Sequence, residues 1–404
     1  MMNIEICKWF NNSDSPVMFM IDDLANVWVD TTKSGELELG EDWGYWKNEE
    51  KSSFRYLNEV ILKEFPEVKA TFFVPVGVRV GMIKEPVAPS ISKKINHDEA
   101  TKKFFRDIHQ NPRFEIAYHG TTHGKVGETN LDFKQEWELF SSVEKAVDVV
   151  EDGKRIYKDA IGVNPLGGKY CGYTSNEFSD LSIDKTDFLW WCRYWNRGVE
   201  EGEVDKISGG DKNSLSNYDI KKFGDNNVID IPSTVNGGLL TSVLNSNFIS
   251  IKGILKKILK NYLVRKRLQQ IEYLLTRKLV ISIQEHIAPS RDDGRRQMPN
   301  IFDDTKSLQT IFRYLRNKNV WYCTGTELAS YVYLRDNFVI KSTSESTFYF
   351  VQTEDNTRDV ELGEVTLSIS GVEKGKLLLP NQTIKEVRNG IVNVPIMPGT
   401  YQII

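Results

Sequence analysis

The chain has 404 residues, 40% of them hydrophobic and 27% charged, which is enough to bury a sizeable core and too apolar for a disordered chain. With 52 Lys plus Arg against 56 Asp plus Glu, the formal charge is −4, which excludes a general nucleic-acid binder. No apolar run reaches the length of a stable membrane span, and residues 1–20 are polar and acidic where a signal peptide would have its apolar core, so the expectation is a cytoplasmic protein.

Val17 to Ile21 is a short apolar run that stops at Asp22-Asp23, and it reads as a buried strand with two carboxylates at its C-terminal end. Residues 52–64 have helical spacing of Phe54, Leu57, Val60, Ile61 and Leu62, and Pro66 marks the end. Ala70 to Val74 is a second strand, halted by Pro75. Asp98 can cap a helix running to about His109, with Phe104, Phe105 and Ile108 on its inner face. Phe114 to Tyr118 is a third strand, ending at His119, and residues 131–156 carry a longer helical pattern. This alternation predicts an α/β fold with a mostly parallel sheet covered by helices.

Residues 172–275 read as an irregular insertion with a Trp and Tyr cluster at 190–195. Toward and just past its end, 252–278 read as helical and strongly basic. They are expected to form an amphipathic surface helix pair, with an anionic substrate or a phospholipid surface as the alternatives. Leu279 to Ile283 is a further buried strand, ending near His286. A helix at 304–317, a strand at 320–322 and a helical stretch at 326–335 complete a first domain, residues 1–335. Strand-like runs at 347–351, 365–369 and 391–396, punctuated by Asn389-Gly390 and Pro398-Gly399, predict a small all-β sandwich over 336–404. The four cysteines, Cys7, Cys171, Cys192 and Cys323, form no Cys-x-x-Cys pair and read as reduced thiols.

His119 and His123 are four residues apart in a segment on which both imidazoles can face one point. Two histidines and a carboxylate make a common hydrolytic metal site with positions left open for water and substrate. Asp22 and Asp23, adjacent in an extended segment, point in different directions, so one can hold a metal while the other works as a base. His286 follows another buried strand. Ligands of parallel α/β sheets gather beyond the C-terminal strand ends, so three strands deliver this polar set to one edge. His97 and His109 have no such company and read as bystanders.

Met20-Ile21-Asp22-Asp23, Thr71-Phe72-Phe73-Val74, His119-Gly120-Thr121-Thr122-His123 and the stretch from Leu279 to His286 together resemble the motifs of the NodB-homology polysaccharide deacetylases, carbohydrate esterase family 4. The resemblance covers roughly residues 15–330 and implies a distorted (β/α) barrel. It implies Asp22 as general base, Asp23, His119 and His123 as ligands of one divalent ion, most simply Zn²⁺, and His286 as general acid. The implied substrate is an N-acetylated or O-acetylated sugar or oligosaccharide. Set against Gly162 to Gly168, the family's Arg-x-Pro-Tyr-Gly motif puts Asn164 at the arginine. It puts Gly167 at the tyrosine, whose amide would stabilise the oxyanion. Lys169 and Arg193 are the candidates to replace the missing guanidinium. The acidic element that tunes the closing histidine falls on Asp187, with Asp184 as rival. Trp190, Trp191, Tyr194 and Trp195 are candidates to stack on sugar rings. Another metal-dependent amide or ester hydrolase on the same fold, and a catalytically decayed carbohydrate-binding protein, are the alternative readings.

Overall fold

The computed structural model describes residues 3–195, 218–246, 251–344, 346–353 and 363–404. Residues 196–217 and 247–250, which fall in the expected insertion, lie outside the described residues. Among the described residues the core is one ten-stranded sheet. Its strands run in the order Lys221–Phe223, Val228–Asp230, Trp190–Cys192, Gly167–Lys169, Phe114–Tyr118, Ala70–Val74, Ser15–Asp22, Ile281–His286 and Val235–Asn236, with Val320–Tyr322 also pairing onto Ser15–Asp22. Every pairing is parallel except that of Lys221–Phe223 with Val228–Asp230. The sheet curls into an open half-barrel, since its two end strands do not pair. Ser15–Asp22 is buried along its whole length, as a strand covered on both faces must be.

Two cores follow from the alternation of side chains along these strands. Phe19, Ile21, Phe72 and Ile116 pack outward against the helices, meeting Phe105, Ile108 and Val150. Met18, Met20, Phe73, Ala117 and Trp190 pack inward, in a cluster that continues through Leu328 and Val332 to Phe348, Val365 and Leu367 of the C-terminal region. The helix Gly325–Asn337 therefore fills the half-barrel near the N-terminal strand ends, leaving the C-terminal ends open. Its Thr324 side chain accepts from Glu327 N, and the Glu327 carboxylate accepts from Thr324 N, a capping box that fixes its first turn.

The helices at Glu99–Gln110, capped by Asp98, and at Thr305–Leu315 match expectation. Two others differ. The 52–64 segment is one α-turn, Ser53–Tyr56, followed by a π-turn, Leu57–Ile61. The helix expected from 131 starts only at Val143, where Ser142 accepts from Lys145 N, and it runs to Ile161 before Gly162 closes it at φ 100°. The preceding residues serve the site instead. All four cysteines are free and buried. Among the described residues no helix is long and apolar enough to cross a membrane.

Among the described residues the C-terminal strands form one eight-stranded antiparallel sheet, the expected small all-β unit. It curls until its end strands, Ile4–Ile6 and Phe338–Ser342, lie beside each other. One of those end strands comes from the N-terminal region: Ile4 pairs with Ile369 and Ile6 with Leu367.

Glu285, between Gln284 and His286, points to the outer side of the sheet, where it is fully buried and its carboxyl oxygens meet no well-aligned donor. Burial first, then Asp304 and Asp303, push its pKa well above the carboxylate range. The folded chain thus holds a proton there that the unfolded chain releases, so this residue costs stability as pH rises above its unfolded value. Glu285→Gln is expected to be more stable than the parent at pH 8. The gap should narrow by up to about 1.4 kcal/mol per pH unit as pH is lowered toward 5. Urea unfolding at both pH values reads this directly.

Candidate active site

Beyond the C-terminal strand ends lies a cleft of about 1160 Å³, lined by Asp22, Asp23, His119, His123 and His286 among others. The parallel register explains why they meet. Asp22 sits opposite both Phe73 and His286, and Val74 sits opposite Tyr118, so Asp23, His119 and His286 leave the sheet at one level. The turns are tightened by backbone bonds from Asp23 N to Phe73 O (2.9 Å) and from His119 N to Val74 O (3.0 Å).

Asp23 and His123 both have left-handed backbone, φ 68° and 71°, which non-glycine residues adopt at a cost. The cost at His123 is met by Glu136. Its buried carboxylate accepts from the amides of Thr121 (2.9 Å), Thr122 (2.7 Å) and His123 (2.8 Å). Gly120 is required here, since a Cβ on it would lie 2.8 Å from Glu136 Oε2. The 119–123 segment is therefore a loop wrapped around an anion. Glu136→Ala is expected to leave three amides without their partner and to weaken divalent-metal affinity about 10–100-fold, measured by competition with a chromogenic chelator.

His119 Nδ1 lies 2.9 Å from Lys169 O, a carbonyl that can only accept, so Nδ1 carries the hydrogen and Nε2 presents a bare lone pair. That Nε2 is 3.8 Å from Asp23 Oδ1, and His123 Nε2 is 3.0 Å from the same oxygen. Asp23 Oδ1 and His123 Nδ1 are buried without a well-aligned hydrogen-bond partner. Asp23 Oδ1, His119 Nε2 and His123 Nε2 converge on one point in the cleft, and a carboxylate with two imidazoles is a common ligand set, so these residues fit a metal ion. Burial, only partly offset by Asp22 and Asp23, pulls His119 down to about 4, which leaves it neutral and ready to ligate. Burial pushes Asp23 up, but the His123 imidazole and the Arg79 guanidinium together hold its carboxyl well below the usual range. Arg79 Nη2 lies 3.2 Å from Asp23 Oδ2. Donor atoms of His119, His123 and Cys171 lie within 4.8 Å of one another, a potential metal-coordinating cluster. The Cys171 thiol bonds to His119 O at 3.0 Å.

Asp22 is gripped by Lys169, whose Nζ lies 2.7 Å from Oδ2 and 2.9 Å from Oδ1. Lys169 is fully buried, donates also to Gln284 Oε1, and lies over the Tyr173 ring at 4.2 Å. His286 Nδ1 lies 2.7 Å from Pro299 O, and its Nε2 lies 2.8 Å from the side-chain amide of Gln297. Burial pulls its pKa down.

Several expected residues stand elsewhere. Asn164 is exposed in the turn that precedes the Gly167–Lys169 strand, at the edge of the sheet away from the cleft. Gly167 packs against Trp190, whose ring a Cβ would meet at 1.9 Å, so its role is close packing within the sheet. Trp190 and Trp191 are buried on opposite faces of their strand. Trp190 bonds to Thr326 Oγ1 (2.9 Å), while Trp191 packs among Trp137, Tyr170 and Phe188. Tyr194 is buried too, so of the aromatic cluster only Trp195 lines the cleft, with Tyr173 beside it at 5.7 Å. Asp187 is exposed just before the Trp190–Cys192 strand, on the far edge, and makes no contact with His286. Asp184 binds the amides of Asp225 and Asn226. Arg193 is engaged by Asp180 (2.6 Å) and Asp230 (2.8 Å), which leaves Lys169 as the cation on Asp22. His109 sits in its helix and accepts from Ile116 N (3.2 Å).

No protein-family profile matches the chain, and no curated protein sequence matches it. Among solved structures it is similar to a candidate polysaccharide deacetylase from Mycobacterium smegmatis, at 15% identity and a TM-score of 0.45 over 82% of this chain and 94% of that one. It is also similar to an allantoinase, at 14% identity and a TM-score of 0.42 over 81% and 93% of the two chains. A CE4 family pseudoenzyme from Bacillus anthracis matches at 13% identity and a TM-score of 0.36 over 78% and 65%. These likenesses are loose, and the chemistry of the site rests on its own residues.

Proposed function

We propose that this protein is a metal-dependent hydrolase that removes an acetyl group, most simply an N-acetyl group, from a sugar or oligosaccharide. The observation that carries the reading is the meeting of Asp23 with His119 and His123 (3.8 and 3.0 Å) in the same cleft as the Asp22–Lys169 pair and His286. Asp23, His119 and His123 would hold the ion, with Cys171 adjacent, and a mixed imidazole and carboxylate set suits Zn²⁺. Such an ion, when bound, supplies Lewis acidity toward a carbonyl and lowers the pKa of water.

The chain's own residues do the rest. Asp22 takes a proton from the attacking water at a carboxylate oxygen, while Lys169 holds that carboxylate in place. His286 delivers a proton from Nε2 to the leaving amine, and Pro299 O holds the ring in place through Nδ1. Gln297 can serve His286 in both states, because its side chain donates through the amide nitrogen and accepts through the oxygen. Tyr173 and Trp195 offer aromatic faces to a sugar ring. Lys169, five residues beyond Asn164, would stand in for the family arginine by pairing with Asp22.

A second reading is a carbohydrate-binding protein with a decayed site. The ion pair between Arg79 and Asp23, with Arg79 nearly buried, favours it, since it occupies one oxygen of a proposed ligand. Metal analysis of the dialysed protein, together with acetate release from a panel of acetylated mono- and oligosaccharides, separates the two. One equivalent of metal with acetate release is expected. Glycan binding with neither metal nor acetate would replace the hydrolase reading with the binding one.

A further inference from the structure

The helix Ile251–Ile258 and the helix Lys260–Thr276 that follows it stand beside the cleft. Lys256 Nζ bonds to Ser242 O (3.1 Å), and Ser242 lines the cleft wall. Residues 251–271 carry seven Lys and Arg and no Asp or Glu, in a chain whose net charge is −4. A surface helix normally turns its apolar stripe inward. This one does the reverse: Leu255 is 53% exposed, Ile258 73% and Tyr262 63%, with Ile254 and Leu259 also exposed. At 100° per residue, Ile254, Leu255, Ile258 and Leu259 fall within about 140° of arc, with the buried Gly253 opposite and Lys256 and Lys257 on the two flanks.

We propose that this face docks on a phospholipid bilayer bearing anionic headgroups. Outward aliphatic side chains flanked by lysines, on a segment rich in positive charge, are the pattern of a helix lying in the membrane interface. The concentration of positive charge supplies the complement to an anionic surface, and nucleic acid would leave the aliphatic arc in water. Docking there would set the cleft mouth beside the bilayer. The proposal does not depend on the hydrolase reading.

The test is co-sedimentation of the full chain with vesicles of phosphatidylglycerol and phosphatidylcholine, and with phosphatidylcholine alone. Binding is expected only to the anionic vesicles and should weaken as salt is raised. Ile258→Glu and Leu255→Glu, both at exposed positions, are each expected to bind about tenfold more weakly or worse, with an unchanged melting temperature. Absence of binding, equal binding to neutral vesicles, or unaltered binding by both variants would overturn the proposal. So would a lipid-free dimer in sedimentation equilibrium that Ile258→Glu dissociates, since a second copy would then be what covers the face.

Discussion

Asp22→Asn is expected to bind its divalent ion as the parent does and to turn over about 10²–10⁴-fold more slowly. The separation of the two effects follows from the division of labour at the strand end. Asp22 points toward Lys169, at 2.7 and 2.9 Å, whereas Asp23 points toward the two imidazoles. An amide at position 22 keeps the shape and loses the basic oxygen. His119→Ala should behave in the opposite way and lose the metal outright, because the ring whose tautomer is fixed by Lys169 O is removed. Metal content by mass spectrometry and acetate release, measured on the same samples, give both numbers. A metal-replete Asp22→Asn protein with undiminished turnover would remove Asp22 from the role of base.

Lys169→Met is expected to be the most damaging single change to the fold and the site together. The ammonium is fully buried and bonds to Asp22 and Gln284 under the Tyr173 ring. Removing one member of a buried ion pair strands the other, at a typical cost of about 3–5 kcal/mol. Activity should fall with it, because Asp22 loses the group that orients it. Lys169→Arg keeps the positive charge beside Asp22, and it should retain part of the turnover wherever the larger guanidinium can be accommodated. Urea unfolding reports the stability loss, and kcat measured on the folded fraction reports the catalytic one. A Lys169→Met protein as stable and active as the parent would mean that the pair has no part in either.

Much of the site could be read from sequence, because buried parallel strands announce themselves as apolar runs that end abruptly in polar residues. Val17 to Ile21 before Asp22-Asp23, and Phe114 to Tyr118 before His119, are of this kind, and their register does place those ends together. The strand Gly167–Lys169 is harder to see in sequence. Gly167, Gly168 and Lys169 have no apolar run to mark them, and only the pairing of Gly168 with Tyr118 sets Lys169 at the site and Asn164 in the turn before it. Trp190 and Trp191 looked like a sugar platform because they are adjacent aromatics. A strand buried on both faces gives each of them a core to fill. The helix expected from 131 began late because Trp137 and Phe140 mimic helical spacing while packing from a 3₁₀ turn and a loop. Glu136 carried no signal at all, since a carboxylate that clasps three amides 13–15 positions back belongs to no periodic pattern. Cys171 likewise lay among ordinary buried thiols until the fold set it near two imidazoles.

The pairing of Ile4–Ile6 with Glu364–Ile369 gives the C-terminal sheet a second tether. Scission of the backbone between Asn337 and Phe338 would leave both fragments associated, because the segment leading from Ile6 to Ser15 still runs from that sheet into the half-barrel. Excising the C-terminal region to obtain a minimal catalytic unit would bare the edge of Ile4–Ile6 and the floor of the inner core at once, inviting aggregation. A useful truncation would have to take both ends of the chain together.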